Sequence, residues 1–199
     1  IETLDLLGCE LSDELADIRQ SVVSKNTANE NTLLPAPLKV SPYEHQLKGY
    51  NLACLSMGII GDNSVSPGFA LLMEMGCGKT ITSIAVAGRA YLIGKIKRLL
   101  ILAPKSIVTV WEDEFAKFAD FPYSLSVLQG TYAKKTEILK SIPHKGLEVV
   151  VVNYDSIAII EKELTEWKPD FLICDESSKI KNPTAKMSKA TYRVAKVCK

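Results

Sequence analysis

Histidine is almost missing from this chain of 199 residues, which holds only His45 and His144. The five cysteines, Cys9, Cys54, Cys77, Cys174 and Cys198, show no paired spacing. With so few histidines beside them, a zinc site is not expected, and reduced, mostly buried thiols are the better reading. No apolar run approaches the roughly 18 residues needed to cross a bilayer. The acidic N-terminus has no signal-peptide pattern, so the expectation is an intracellular protein with no membrane partner, in cytoplasm or nucleus, or in host cytoplasm if viral. Internal repeats are absent, and no interleaving of aromatic and basic residues points to sequence-specific base reading. What remains is an ordinary globular balance, 47% hydrophobic and 24% charged, in a length that suits one well-buried domain plus an appendage.

The formal net charge of +1 hides an uneven distribution. Residues 1–38 carry Glu2, Asp5, Glu10, Asp13, Glu14, Asp17 and Glu30 against Arg19 and Lys25 only, so the remaining body is basic. A basic body suits a polyanionic partner.

Within residues 1–24, Leu4, Leu7, Leu11, Leu15, Ile18 and Val22 recur at helical spacing with acids between them, which predicts a short amphipathic helix. Residues 25–38, with several asparagines and the Pro35/Pro37 pair, read as a linker. From residue 39 the pattern alternates. Strands are expected at Phe69–Met73, Leu99–Ala103, Leu125–Leu128, Val149–Asn153 and Phe171–Cys174. Helices are expected at Glu44–Met57, Lys79–Ile93, Ile107–Phe118, Tyr132–Ser141 and Ser156–Glu166. Such alternation argues an α/β fold, a mostly parallel central sheet with helices on both faces and chemistry at the strands' C-terminal ends. Two domains follow: an acidic N-terminal helix with linker over 1–38, and an α/β lobe over 39–199. In the last stretch, Lys186, Lys189, Arg193 and Lys196 lie beside an apolar stripe of Met187, Ala190, Val194 and Val197. This reads as a surface helix whose lysine stems cover its buried edge, or as a basic rim facing a partner.

The run Met73-Glu74-Met75-Gly76-Cys77-Gly78-Lys79-Thr80 follows an apolar stretch and opens a helical one. Glycines at 76 and 78 let the backbone curl so that successive N–H groups face a polyphosphate, and the helix start adds its positive end. Lys79 reaches the β/γ-phosphates and the Thr80 hydroxyl holds Mg²⁺. The first glycine of the usual phosphate-loop pattern is replaced by Met73. The alternative is a plain glycine turn. Downstream, Phe171-Leu172-Ile173-Cys174-Asp175-Glu176 reads as a buried parallel strand ending in two acids. Asp175 is placed to hold Mg²⁺ with its waters, and Glu176 to polarise the water that attacks the γ-phosphate. Together the two segments describe a core that hydrolyses a nucleoside triphosphate.

Leu99 to Phe115, containing Ala103-Pro104-Lys105-Ser106 and Trp111-Glu112-Asp113-Glu114-Phe115, resembles motif Ia of the Swi/Snf-type ATPases, double-stranded DNA translocases of helicase superfamily two. In the same order, Pro42-Tyr43-Glu44-His45-Gln46-Leu47-Lys48-Gly49 is similar to the family's adenine-sensing Q motif, and Glu74 to Thr80 to its motif I. Val151-Val152-Asn153-Tyr154-Asp155 resembles the strand end before motif II. Asp175-Glu176-Ser177-Ser178-Lys179-Ile180-Lys181-Asn182 resembles motif II with its following Lys-Asn. Departures are Met73 for the usual acid, Cys77 for leucine, and Ser177-Ser178 for the Ala/Gly-His pair that couples hydrolysis to DNA.

The resemblance covers about residues 39–190. It implies the first RecA-like phosphate-loop lobe of a two-lobed motor, with the second lobe and its arginine finger absent from this chain. It further implies ATP and Mg²⁺ as ligands, and double-stranded DNA and the second lobe as partners. Gln46, Met75, Gly76, Cys77, Gly78, Lys79 and Thr80 would hold the nucleotide, and Thr80 and Asp175 the metal. Lys79, Asp175 and Glu176 would act in catalysis, and Lys105, Ser106 and Tyr154 would meet DNA. On the residues alone, Lys105 is equally a solvated loop lysine, Trp111 a core anchor and Tyr154 a core cap. Rival readings are a strand-separating helicase or restriction-type translocase subunit of the same superfamily, and a non-catalytic ATP-gated binding module.

Overall fold

Leu147-Glu148-Val149-Val150-Val151-Val152-Asn153 contains no alternation of apolar and polar residues, and Val149 to Val152 are fully buried. A strand covered on both faces needs such a run, and β-branched side chains fit its pleat. In the computed structural model, which describes residues 35–60 and 66–198, this segment is the third of four parallel strands. They are β1 (Arg98–Ala103), β2 (Tyr123–Val127), β3 (Leu147–Asn153) and β4 (Phe171–Cys174), in the spatial order β2-β3-β1-β4. Ile101 of β1 stands opposite Val151 on one side and Ile173 on the other.

Parallel neighbours require crossovers, and helices supply them. They are α1 (Glu44–Ser56), α2 (Lys79–Leu92), α3 (Val110–Phe118), α4 (Tyr132–Lys140), α5 (Tyr154–Ile157), α6 (Glu161–Trp167) and α7 (Lys186–Ala195). Leu99, Ile101, Ala103, Val149 and Val151 face one cluster, filled by Tyr50 of α1, Ile84 of α2 and Phe115 of α3. Their alternates Leu100, Leu102, Val150 and Val152 face a second, filled by Leu139, Ile157, Leu164 and Val194 of α4 to α7. The expected α/β architecture is therefore present, a parallel sheet with helices on both faces.

Residues 36–199 make up one compact unit. Lys39 N–H donates to Phe118 O at 2.9 Å and Asp120 N–H to Pro37 O at 3.1 Å, so the end of the expected linker is held to the C-terminal end of α3. The predicted helix over 1–24, and linker residues 25–34, lie outside the described residues. Among the described residues, no helix is long and apolar enough to cross a membrane.

Three expectations are corrected. Phe69–Met73 is not a strand: it pairs with none among the described residues, and Leu72 is 95% exposed. An apolar pattern encodes burial, whereas a strand also needs a ladder partner. Ile107–Phe118 becomes helical only at Val110, because Ile107 N–H turns back to Pro104 O in a tight loop. The helix expected over Ser156–Glu166 breaks in two. Asn153 caps α5 by accepting from Ser156 N–H at 3.0 Å, and the chain turns at Ile160, whose side chain is driven into the core at 1% exposure.

Candidate functional site

Gly76 and Gly78 adopt φ of +81° and +85°, in the region that side-chain-bearing residues avoid. The loop they shape delivers the chain straight into α2, whose first residue is Lys79. A Cβ at Gly78 would overlap the Gln46 side-chain amide, so a substitution there would strain the backbone and displace the Gln46 contact with Cys77 O. Gln46 is buried; its Oε1 accepts from Tyr43 N–H at 3.0 Å while its Nε2 donates to Cys77 O at 3.3 Å. His45 Nε2 lies 3.0 Å from the same carbonyl, with its ring stacked on Tyr43. The first turn of α1 thus grips the glycine loop at a single peptide. Lys79 Nζ folds over the loop and donates to the carbonyls of Met73 and Glu74, each at 3.1 Å.

Asp175 follows β4 and still belongs to the sheet, its N–H donating to Leu102 O at 2.8 Å. Burial raises its carboxyl above the ordinary aspartate value, with the nearby Trp111 side chain opposing that rise. Glu176 is exposed and sits at φ +51°, ψ +53°, a left-handed conformation held by a residue with a full side chain. Such strain persists where surrounding structure enforces it, and here it turns the chain sharply off the sheet into Ser177–Ile180.

One cleft of about 710 Å³ brings these parts together. Met75, Gly76, Gly78, Lys79 and Thr80 line one wall, Asp175 and Glu176 another, and Gln46 and Tyr43 a third. Its rim is built from Ile107, Val110, Trp111 and Glu114 of the segment after β1. Cys77 stands in the loop, half-buried, with its carbonyl turned to Gln46 and His45. Lys105 and Ser106 are exposed just past the C-terminal end of β1, outside the cleft lining. Tyr154 stands apart from the other expected DNA contacts: it is 3% exposed and its hydroxyl donates to Asp175 O at 2.7 Å. Between touching DNA and capping the core, the structure places Tyr154 in the core.

Two contributors were not foreseen. Trp111, expected as a core anchor, is buried and also lines the cleft. The ring's helical spacing with Phe115 gives the buried face but not its place beside the cleft. His45 precedes Gln46 in the same motif, and only the fold shows both converging on Cys77 O.

The donor set fits Mg²⁺. Thr80 and Asp175 offer a hydroxyl and a carboxylate to one space, both hard oxygen ligands, and no group of three or more metal-binding side chains occurs among the described residues. Few protein ligands, with waters completing the shell, is the usual arrangement for this ion.

Residues 41–197 match the SNF2-related domain. Among curated proteins, Switch 2 of Arabidopsis thaliana is 31% identical over 177 residues, covering 81% of this chain and 19% of that protein. The DNA repair and recombination protein RAD54 of Oryza sativa is 30% identical over 157 residues, covering 73% of this chain and 16% of its own length. Among solved structures, the SWI2/SNF2 ATPase core of Sulfolobus solfataricus in complex with double-stranded DNA superposes with a TM-score of 0.66 at 26% identity, covering 84% of this chain and 32% of that one. The chain thus spans under a fifth of the length of these two curated relatives.

Proposed function

Because the chain belongs to the SNF2-related domain family, we propose that residues 39–199 are the ATP-binding lobe of an ATP-driven translocase on double-stranded DNA. The observation that carries this reading is the single cleft gathering the glycine loop, Lys79 and Thr80 with Asp175 and Glu176, segments far apart in sequence. DNA is named in the structural relative, and the basic body of this chain agrees with a polyanionic partner.

Each residue has a separable task. The main-chain N–H groups at Gly76 to Lys79 bind phosphate oxygens, helped by the positive end of α2. Lys79 exchanges its two loop carbonyls for the β/γ-phosphates, which makes its ammonium a ground-state ligand. Thr80 and Asp175 hold Mg²⁺, which when bound neutralises charge on the phosphates. Glu176 accepts the proton of the water whose oxygen attacks the γ-phosphorus, as the bond to the ADP oxygen breaks. Gln46 reads the adenine, and its grip on Cys77 O gives base recognition a route to the loop. Lys105 and Ser106 meet the DNA backbone at the strands' C-terminal rim.

Lys79→Ala and Glu176→Gln test the assignment. In a chain extended to two lobes, Lys79→Ala is expected to weaken ATP binding, whereas Glu176→Gln retains binding and abolishes turnover, since it removes an interaction made only on the reaction path. Unimpaired hydrolysis by Glu176→Gln overturns the water-activating role. Binding of ATP with no hydrolysis by the extended wild-type chain, with or without DNA, would favour a gated binding module instead.

A further inference from the structure

The main chain leading into Glu176 is held from two strands. Asp175 follows the end of β4, and its N–H donates to Leu102 O of β1 at 2.8 Å. Tyr154 follows the end of β3, on the other side of β1, and its hydroxyl donates to Asp175 O at 2.7 Å. The tyrosine side chain therefore passes the end of β1 to reach a strand that β3 does not pair with. Its own place is fixed: it is buried among Leu102, Val152 and Ile157, and it opens α5, whose start Asn153 caps. A buried phenol hydroxyl needs a partner, and here the partner is main chain. Asp175 O lies in the peptide plane whose nitrogen belongs to Glu176, so this bond fixes the plane from which Glu176 departs. Glu176 leaves it at φ +51°, ψ +53°, a conformation that is costly for a residue with a Cβ.

We propose that Tyr154 is a positioning residue for the hydrolytic step: its hydroxyl holds the Asp175–Glu176 peptide so that Glu176 stays in the left-handed turn from which it lines the cleft. The inference rests on the reading of Glu176 as the base for the attacking water. Glu176 is exposed, so its aim is set by its backbone more than by packing around its side chain. A catalytic group displaced by about 1 Å can cost about 10²-fold in rate. Tyr154 does not line the cleft itself, and the glycine loop grips the nucleotide from another wall, so the loss falls on the chemistry and spares binding.

Tyr154→Phe deletes the hydroxyl and keeps the ring. In the chain extended to two lobes it is expected to lower kcat for ATP by about 10–100-fold with KM unchanged. An unchanged kcat overturns the proposal, and so does a rise in KM, which would mark a merely structural ring. A second measurement, thermal melting of the 199-residue chain, reads the turn itself. Glu176→Gly and Glu176→Ala both remove the carboxylate and differ in how well they tolerate a left-handed backbone. With Tyr154 in place, Glu176→Gly is expected to melt about 2–4 °C above Glu176→Ala. Combined with Tyr154→Phe, the gap is expected to close or reverse, because alanine is the better residue once the turn relaxes. A gap that survives Tyr154→Phe intact overturns the proposal. So does Glu176→Ala melting at or above Glu176→Gly with Tyr154 in place, a comparison that stands even if Tyr154→Phe does not fold. If the extended wild type hydrolyses no ATP, the motor reading fails, and the melting order still decides whether Tyr154 holds Glu176.

Discussion

The described cysteines span a range of environments that alkylation can resolve. Burial pushes the Cys54 thiol up to about 12, and the Cys174 and Cys198 thiols up to about 11. A raised thiol holds less thiolate at any working pH, and thiolate is the reactive form. Cys77 stands half-buried in the glycine loop. It is expected to alkylate first among the described cysteines near pH 8, and bound nucleotide with Mg²⁺ should protect it. Mass spectrometry after limited labelling checks both statements; preferential labelling of Cys174 or Cys198 would contradict them. At this scale the sequence was most informative where a residue type is nearly obligatory. Gly76, Gly78, Lys79, Thr80, Asp175 and Glu176 could be picked out because only those residue types serve a phosphate loop and an acid-ended strand. The role of Tyr154 could not, because a buried aromatic shows its packing in spacing and keeps the direction of its polar atom to the fold.

Helix α7 illustrates how an element is held by one edge and free on the other. Ser188, Ala190, Thr191 and Val194 are buried, whereas Lys186, Lys189, Arg193 and Lys196 are exposed, as a surface helix requires. Arg193 grips Glu161 of α6 with both nitrogens of its fork, Nη2 lying 2.6 Å from Oε2. That hydrogen bond holds the Glu161 carboxyl below its ordinary value. A lowered carboxyl contributes stability above its unfolded pKa and loses it as the pH falls through the folded one. Arg193→Ala is therefore expected to lower Tm slightly at neutral pH, with the difference closing as the solution is acidified through the carboxylate range. Thermal melts over that range check the sign, and a difference that grows in acid would refute it. Among elements, β1, β3 and β4 were legible as apolar runs with strong ends. Phe69–Met73 looked the same in sequence; the exposure of Leu72 and the lack of a ladder partner among the described residues tell it apart. Helix boundaries failed where local hydrogen bonding overrode periodicity, at Pro104–Ile107 and at Asn153–Ser156.

Among the described residues, the arginines stand away from the cleft. Arg89 donates to Tyr50 Oη at 2.9 Å, Arg98 is shared between Glu148 and Trp167 O, and Arg193 holds Glu161. None of these lines the pocket. Charge developing on a γ-phosphate in related enzymes is met by an arginine worth about 10³–10⁵ in rate. The 199-residue chain is thus expected to bind nucleotide and to hydrolyse it negligibly, with or without duplex DNA. Extension through a second lobe should restore DNA-stimulated turnover. Equal stimulated rates from the short and extended chains would sink the two-lobed reading. The strand order has one more consequence, for the way the protein is made. β1 is central but is synthesised first, and its neighbours β3 and β4 begin only at Leu147 and Phe171. A ribosome adding about 5–20 residues per second leaves Leu99 to Ala103, five fully buried residues, waiting for seconds without a strand on either side. Nascent chains stalled before Leu147 therefore hold this apolar segment with both strand edges unpaired, and a holding chaperone would find its client there.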